Sequence, residues 1–278
     1  MISIITAVHN GLSFNKLYLA ALRKYTHHPF ELIIIDNAST DGTREFFEQE
    51  GCIVIANSVN HNYPYSQNQG IEKAGGSHIF FLNNDVIVSP QWDKRLMEAA
   101  AQHGLDVLSA SGLENTGDAD STRALSRRWK RTKNPLLLVG TSKRILQLML
   151  RLMYGEWKTF NEKRFQKYGY TVVEGIIGNN VMMTQRALSL LNGWDDRIQE
   201  ADFELFIRLK KRALEVGDIK PCHIALGVYI HHFIRMTSKY AVKAKPFARK
   251  DEMISIFDKY SQQEFEQLHP NNATLRKP

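Results

Sequence analysis

Short continuous apolar runs alternate with stretches of helical periodicity along the first 110 residues. Residues 2–8, 30–35, 52–56, 77–82 and 106–110 read as strands buried on both faces, because they lack the polar alternation of a half-solvated strand. Between the first two runs, apolar residues at 14, 17, 18, 21, 22 and 25 fall on one helical face. Ser39-Thr40-Asp41-Gly42-Thr43 supplies a turn and cap for a helix over 44–49, and a helix over 65–74 is stopped by Gly75-Gly76. Another helix, over 90–102, is opened by Ser89 and Pro90. Strands alternating with helices predict an α/β fold, with a Rossmann-like, mostly parallel central sheet and flanking helices.

The alternation breaks after residue 112. Residues 114–121 form a polar loop, and 123–133 are basic around Trp129. Residues 136–157 have the pattern of one amphipathic helix. Arg144, Gln147 and Arg151 make its polar stripe, and Leu146, Met149, Leu150 and Met153 make the opposite face, widened by Ile145, Leu148 and Leu152. Docking on an anionic surface and packing within the fold, or on a second subunit, both suit such a helix. Strand character returns over 170–184, with Gly175 and Gly178-Asn179-Asn180 inside it. A short helix follows over 185–191, then a turn at Gly193-Trp194-Asp195-Asp196, a helix over 199–213, a last strand over 223–231 and a helix over 250–260 that frays past 270. The resulting division is one domain over 1–235, made of 1–112, a basic helical insertion over 113–170 and 171–235, with a helical tail over 236–278.

Charge sharpens this division. The chain carries a net +7, yet between Arg123 and Lys167 thirteen Arg and Lys face only Glu156 and Glu162, so the remainder is slightly acidic. The basic character therefore belongs to one segment and to whatever that segment touches. No apolar run reaches the roughly 18 residues of a membrane-spanning helix. Strand-like residues follow Met1 directly, so no signal peptide is expected, and Cys52 and Cys222 have no metal-site spacing. A cytoplasmic location is expected, peripheral on the inner membrane face if the basic helix docks there.

The candidate chemistry lies at the strand ends. Asn83-Asn84-Asp85 interrupts two apolar runs, and a carboxylate in that setting needs a partner. Asp85 reads either as a ligand for a divalent cation carrying phosphates or as part of a polar turn. Asn10, Asp36 and Asn37 also fall at strand ends, side by side on one rim of a parallel sheet, where a nucleotide can be read by its base and ribose. No glycine-rich dinucleotide fingerprint and no phosphate-binding Gly-Lys-Ser/Thr loop is present, which excludes the common dehydrogenases and nucleotidases. A sugar-nucleotide synthase would carry a basic glycine-rich loop where His9-Asn10-Gly11-Leu12 stands. The basic run with Trp129 and Tyr154 suits nucleic acid, but the acidic balance elsewhere and the absence of a recognised binding motif argue against a nucleic-acid binder.

The motifs in order resemble family 2 glycosyltransferases of the A-type fold, over residues 1 to about 235. They are Ser3-Ile-Ile-Thr-Ala-Val-His-Asn10, Ile35-Asp-Asn-Ala-Ser-Thr-Asp-Gly42, Asn68-Gln-Gly70, Phe81-Leu-Asn-Asn-Asp85, Gly193-Trp-Asp195, Ala201-Asp-Phe-Glu204 with Arg208, and His231-His232. The resemblance implies an inverting transfer from a nucleoside-diphosphate sugar, UDP or dTDP in type, with Mn2+ or Mg2+ as cofactor. By similarity, Asp36 meets the base with backbone from Thr6 to Val8 alongside. Asn84 faces the ribose, and Asn10, Asn37, Asn68 and Asn83 complete the nucleotide-sugar set. Asp85 and His231 hold the metal, with His232 the lesser candidate, and Asp202 is the general base. Asn179, Trp194 and Asp195 line the acceptor side, Asp195 or Asp196 helping to stabilise the positive charge of the transition state. Two positions depart from the family pattern: Asn83 replaces the first Asp of the metal motif, and Ala201 replaces the Glu before the base. A catalytically silent sugar-nucleotide binder or partner subunit is the alternative those two departures suggest. The acceptor expected from the basic insertion is an anionic glycan or a lipid-linked hydroxyl, with an anionic membrane surface or a second subunit on 136–157.

Overall fold

The structure, a computed structural model, describes residues 1–234, 236 and 246–269. Its core is an eight-stranded sheet. The first half runs β1 (Ile2–Val8), α1 (Leu12–Tyr25), β2 (Phe30–Asn37), α2 (Thr43–Gln49), β3 (Ile53–Asn57), α3 (Tyr63–Ile71), β4 (His78–Leu82), β5 (Val86–Ile87), α4 (Trp92–His103) and β6 (Val107–Ser111). Three helices follow: α5 (Ala119–Leu137), α6 (Lys143–Tyr154) and α7 (Trp157–Tyr168). The second half runs β7 (Val172–Glu174), β8 (Asn180–Thr184), α8 (Gln185–Leu191), α9 (Ala201–Glu215), β9 (His223–Tyr229) and β10 (His231–His232).

The strand order is β3-β2-β1-β4-β8-β6-β9-β7, and β10 pairs with β5 in a separate two-stranded ladder. Strands β3, β2, β1 and β4 are mutually parallel, as the alternating pattern predicts. Strand β8 then enters antiparallel between β4 and β6, setting Leu82 opposite Asn180. The exits of β1, β2 and β4 therefore meet the entry of β8 on one rim.

Both faces of the sheet are buried, which explains the unbroken apolar runs. On one face Ile4, Ile34, Phe80 and Leu108 pack with α1, α4 and α6, and on the other Ile5, Ile33, Phe81 and Met183 pack with α8 and α9. Each fully buried side chain of this size stabilises the fold by about 1.5–3 kcal/mol.

Tertiary contacts moved several expected boundaries. Helix α4 begins at Trp92 rather than residue 90, because Gln91 takes a left-handed turn (φ 58°) that drives Trp92 edge-on into Phe80. The expected strand over 170–184 is two strands separated by the loop 175–179. The expected helix over 136–157 is interrupted. Helix α5 ends beyond Pro135, Gly140 (φ 125°) turns the chain, and α6 stops at Gly155. The apolar face of α6 packs inward, with Leu146, Met149 and Met153 at most 1% exposed. Likewise, the expected helix over 250–260 is a single 3-10 turn (Lys250–Glu252) followed by the helix Ile256–Lys259, with a further helix Gln262–Leu268; the residues past 269 lie outside the described set. Ser255 and Ser261 each start their helix with a reciprocal capping box.

This last segment is fastened to α9 by Lys211 Nζ, 3.0 Å from Glu264 Oε1, and by a buried clasp at Lys259. Lys259 Nζ lies 2.6 Å from Glu204 Oε1 and 2.8 Å from Asp195 Oδ2. The Glu204 side chain is 1% exposed and also meets Arg208 Nε at 3.0 Å. Breaking a buried pair leaves a charge without full compensation. Lys259→Met is therefore expected to destabilise the fold by about 2 kcal/mol, moderated by the remaining Arg208. Arg197→Ala, at an exposed partner of Asp195, should leave stability nearly unchanged. Denaturant melts of both variants check the contrast, and equal stability of the two would show that the clasp carries no load.

Candidate active site

Strand β2 extends two residues past its expected end, so Asp36 and Asn37 belong to the strand. Val8 sits opposite Asp36 in register, which brings the ends of β1 and β2 together. Asp36 is 2% exposed, and its Oδ2 accepts from Ser39 N at 3.3 Å. Its Oδ1 is buried with no protein partner. Burial raises this carboxyl above its ordinary range, against the hydrogen bonding from Ser39. Asn37, on the opposite face of the strand, is spent on the fold: its Nδ2 donates to Ser66 Oγ at 2.9 Å, and Asn57 Nδ2 donates to its Oδ1 at 2.9 Å.

The loop after β1 is shaped by amides rather than left open for ligand. Asn10, at φ 60°, accepts from Thr40 N at 2.7 Å through Oδ1. Asn84 Nδ2 donates to Asn15 Oδ1 at 2.7 Å, and Asn15 Nδ2 donates to Thr43 Oγ1 at 2.9 Å. Thr6 Oγ1 pairs with Tyr18 Oη at 2.6 Å inside the core. Asp41, expected to serve only the α2 turn, accepts from Gly11 N at 2.7 Å and Leu12 N at 2.9 Å at the start of α1, and from Thr43 N at 3.1 Å at the start of α2. One carboxylate thus caps two helices beside the rim.

The β5–β10 ladder decides which histidine reaches Asp85. His231 lies opposite Ile87 and His232 opposite Val86. Successive residues of a strand point to opposite faces, so the two rings part company. His231, expected to meet the metal, is fully buried instead. Its Nδ1 lies 2.7 Å from Tyr154 Oη, and its ring packs edge-on against Trp129 and Phe233. Burial pushes it well below the usual histidine range, and neighbouring His232 adds to this. His232 takes the expected place: its Nε2 is 3.3 Å from Asp85 Oδ1 and its Nδ1 is 2.6 Å from Glu114 Oε1. Burial works against a charged His232, but Asp85 and then Glu114 overcome it and push the ring up to about 10.

Glu114 carries no sequence motif, and its place became legible only when β6 and β8 were paired. It accepts from Asn179 Nδ2 at 3.0 Å, and Asn83 N donates to Asn179 O at 3.0 Å. The rim therefore runs from Asp85 through His232, Glu114 and Asn179 to the loop that carries Gly178. Asp202 stands beyond that loop, on the first turn of α9, with Phe203 N donating to its Oδ1 at 3.0 Å. A Cβ on Gly178 would lie 2.3 Å from Asp202 Oδ2, so this glycine sits directly against the carboxyl. Burial raises the Asp202 carboxyl above 3.8, with like charge from Glu200 and Glu114 adding to the effect.

The other expected acceptor-side groups are engaged by the protein itself. Asn68 was expected at the nucleotide sugar. Its Oδ1 accepts from Trp194 N at 2.9 Å and its Nδ2 donates to Trp194 O at 2.9 Å, so it holds the Gly193-Trp194 turn. Gly193 (φ 71°) is required there, because a Cβ would come within 2.7 Å of Asn68 Oδ1. The Trp194 ring is 3% exposed and packs edge-on against Tyr63 and Phe81 rather than facing an acceptor. Asp195 is held well below the usual carboxylate range by Arg197 and then Lys259.

Among the described residues, no three His, Cys, Asp or Glu side chains form a ready metal cluster, and no helix is long and apolar enough to cross a membrane. Asp85 with His232 still fits a hard divalent cation of the kind held by one carboxylate and completed by phosphate oxygens. Asp85 supplies the oxygen donor at the rim, and the adjoining His232 nitrogen becomes a donor only once the ring gives up the proton that Asp85 and Glu114 favour.

The comparisons agree with this architecture. The mannosyltransferase PcManGT of Pyrobaculum calidifontis, solved with GDP-Man and Mn2+, superposes with a TM-score of 0.54 at 12% identity, over 83% of this chain and 56% of that one. TarS (residues 1–349) of S. aureus, solved with UDP-GlcNAc, gives 0.51 at 15% identity, over 83% and 58%. At these identities the likeness is one of fold. The undecaprenyl-phosphate 4-deoxy-4-formamido-L-arabinose transferase of Pseudomonas paraeruginosa (strain DSM 24068 / PA7) is 33% identical over 87 residues, 29% of this chain and 25% of that protein. This chain spans 39% or less of the length of each such curated relative. The family description "Glycosyl transferase family 2" matches residues 3–189, from β1 through most of α8, and the chain belongs to that family.

Proposed function

We propose that this protein transfers a sugar from a nucleoside diphosphate to a hydroxyl acceptor with inversion at the anomeric carbon. One observation carries the reading. A single rim holds a buried carboxylate oxygen with no protein partner (Asp36), a carboxylate beside a cationic ring (Asp85 with His232), and a carboxyl raised toward its protonated form (Asp202). The Asp36 Oδ1 suits an N–H of the base, as uracil or thymine presents, with backbone of Thr6 to Val8 alongside. The orienting amides Asn10, Asn37, Asn68 and Asn84 act by holding the loops around it.

In the transfer step the acceptor hydroxyl attacks the anomeric carbon while the nucleoside diphosphate departs from the opposite face. Asp202 takes the hydroxyl proton as the new bond forms, and a carboxyl of raised pKa is a better base for that purpose. The charge growing on the leaving diphosphate is met by the His232 side of the rim. Asp85 would hold Mn2+ or Mg2+, with His232 joining it only as the neutral ring, and the ion would supply further neutralisation of that charge. The acceptor belongs to polysaccharide or glycolipid synthesis at the cytoplasmic face of a membrane. The likeness to a transferase named for undecaprenyl phosphate supports this, as does the basic insertion next to the rim. The domain division follows the same logic: 1–112 for the donor, 113–170 beside the acceptor, 171–235 for the base.

The first test is thermal stabilisation by a panel of nucleoside diphosphates and sugar nucleotides, with and without Mn2+ or Mg2+. A hundredfold excess over Kd is expected to add about 2.7 kcal/mol, for UDP or dTDP donors in preference to GDP. Asp85→Ala should remove the metal-dependent part. No shift with any nucleotide would move the silent-binder alternative to the front.

Asp202→Asn is expected to lower the turnover rate by about a thousandfold while donor binding is retained. Because the base must be deprotonated, wild-type rate should rise with pH through a limb above 3.8. Glu114→Gln removes a like charge and should move that limb to lower pH. Gly178→Ala should cut the rate about as severely as Asp202→Asn without weakening donor binding, since its methyl group displaces the base. Normal turnover in either Asp202→Asn or Gly178→Ala would remove Asp202 from the role.

A further inference from the structure

The insertion has an outer surface that the rim chemistry does not use. Helices α5 and α6 form a hairpin whose inner side is buried through Trp129, Leu146, Met149 and Met153. Its outer side keeps large apolar groups in solvent. Leu138 is 90% exposed and Val139 71%, both at the tip, and Leu148 and Leu152 are 40% and 50% exposed along α6. Leu148 and Leu152 are one helical turn apart and so share a face. Arg128 Nη2 donates to Leu152 O at 2.8 Å, which joins the exposed stripe of α5 to that row.

The charge around these residues has one sign. From residue 121 to residue 155 the chain has nine Arg and Lys and no Asp or Glu. Arg127, Arg131, Arg144 and Arg151 are all exposed beside the apolar groups. An exposed arginine stripe with protruding leucines is the pattern of a segment that lies in the interface of an anionic bilayer. A second copy of the chain is disfavoured on this face, because self-association would set the exposed Arg127, Arg131, Arg144 and Arg151 against the same four of the second copy. Nucleic acid would meet the arginines but leave Leu138 and Val139 unaccounted for, and these are the most exposed large apolar residues described.

We infer that the α5–α6 hairpin docks the protein on an anionic phospholipid surface, with Leu138 and Val139 entering the headgroup region and the arginines on the lipid phosphates. The inner rows of α6, which alone looked amphipathic in sequence, take no part. The inference stands apart from the sugar-transfer reading, since none of these residues belongs to the rim.

The test is flotation of the full chain with vesicles of phosphatidylcholine alone and of phosphatidylcholine with 30% phosphatidylglycerol. Bound fraction is expected to rise at least tenfold with the anionic lipid and to fall steeply with added salt. Leu138→Ser with Val139→Ser changes two solvent-exposed positions and should cut binding to the anionic vesicles about tenfold, with the melting temperature unchanged. Arg127→Gln with Arg131→Gln should do so as well and flatten the salt dependence. Absence of flotation with anionic vesicles overturns the docking surface. So does tighter binding to single-stranded oligonucleotide that the Leu138/Val139 variant leaves intact, or concentration-dependent dimerisation abolished by that variant. Nucleotide-induced stabilisation, measured on the same samples, separates failure of this inference from failure of the transferase reading.

Discussion

A ladder of two residue pairs joins the halves of the site. Strand β5 follows directly on Asp85, and β10 brings the chain back from the far edge of the sheet to lie against it. Phe233 N donates to Asp85 O at 2.9 Å and closes the join. Everything proposed for the diphosphate end depends on this contact, because it places a ring from residue 232 on a carboxylate at residue 85. The alternation of a strand then does the sorting. One histidine goes to the aromatic core, where it is neutral and holds Tyr154, and the next goes to the rim, where two carboxylates keep it charged.

The large features of the fold were legible because they are local. Continuous apolar runs marked strands buried on both faces, and β1 and α1 fell where the pattern put them. Legibility failed where a long-range contact outranked a local signal. Ser89 and Pro90 look like a helix start, but burial of Trp92 delays it. Residues 136–157 look like one helix, yet a left-handed glycine in their midst turns the chain back. The same limit governs the site. Asp36, Asp85 and Asp202 stand on one rim as their motifs imply. Glu114 was invisible, since no spacing announces it, and the choice between His231 and His232 turns on register, which a single sequence does not encode openly.

Several motif residues serve the site at one remove. Asn68 holds a turn by bonding both backbone groups of Trp194, as a neighbouring strand would. Asp41 does the same for the starts of two helices. Asn37 and Asn10 tie loops together. A motif records which residues a site needs, without separating those that touch a ligand from those that hold others in position. Amides and helix-capping carboxylates belong to the second group here, because buried polar backbone at a loop-rich rim must be satisfied by something.

The closeness of Gly178 to Asp202 has a consequence for how such a protein can be altered. With the carboxyl seated directly on a bare backbone, no smaller residue exists to substitute, and every larger one intrudes on the Asp202 carboxyl. That part of the wall is at its steric floor and offers no room for adjustment. Freedom to vary must lie elsewhere, on the outer surface of α5 and α6, since their inner rows and α7 are packed into the core. The chain thus sets a wall of almost no tolerance, at a residue with no side chain, apart from an outer helical surface that can vary.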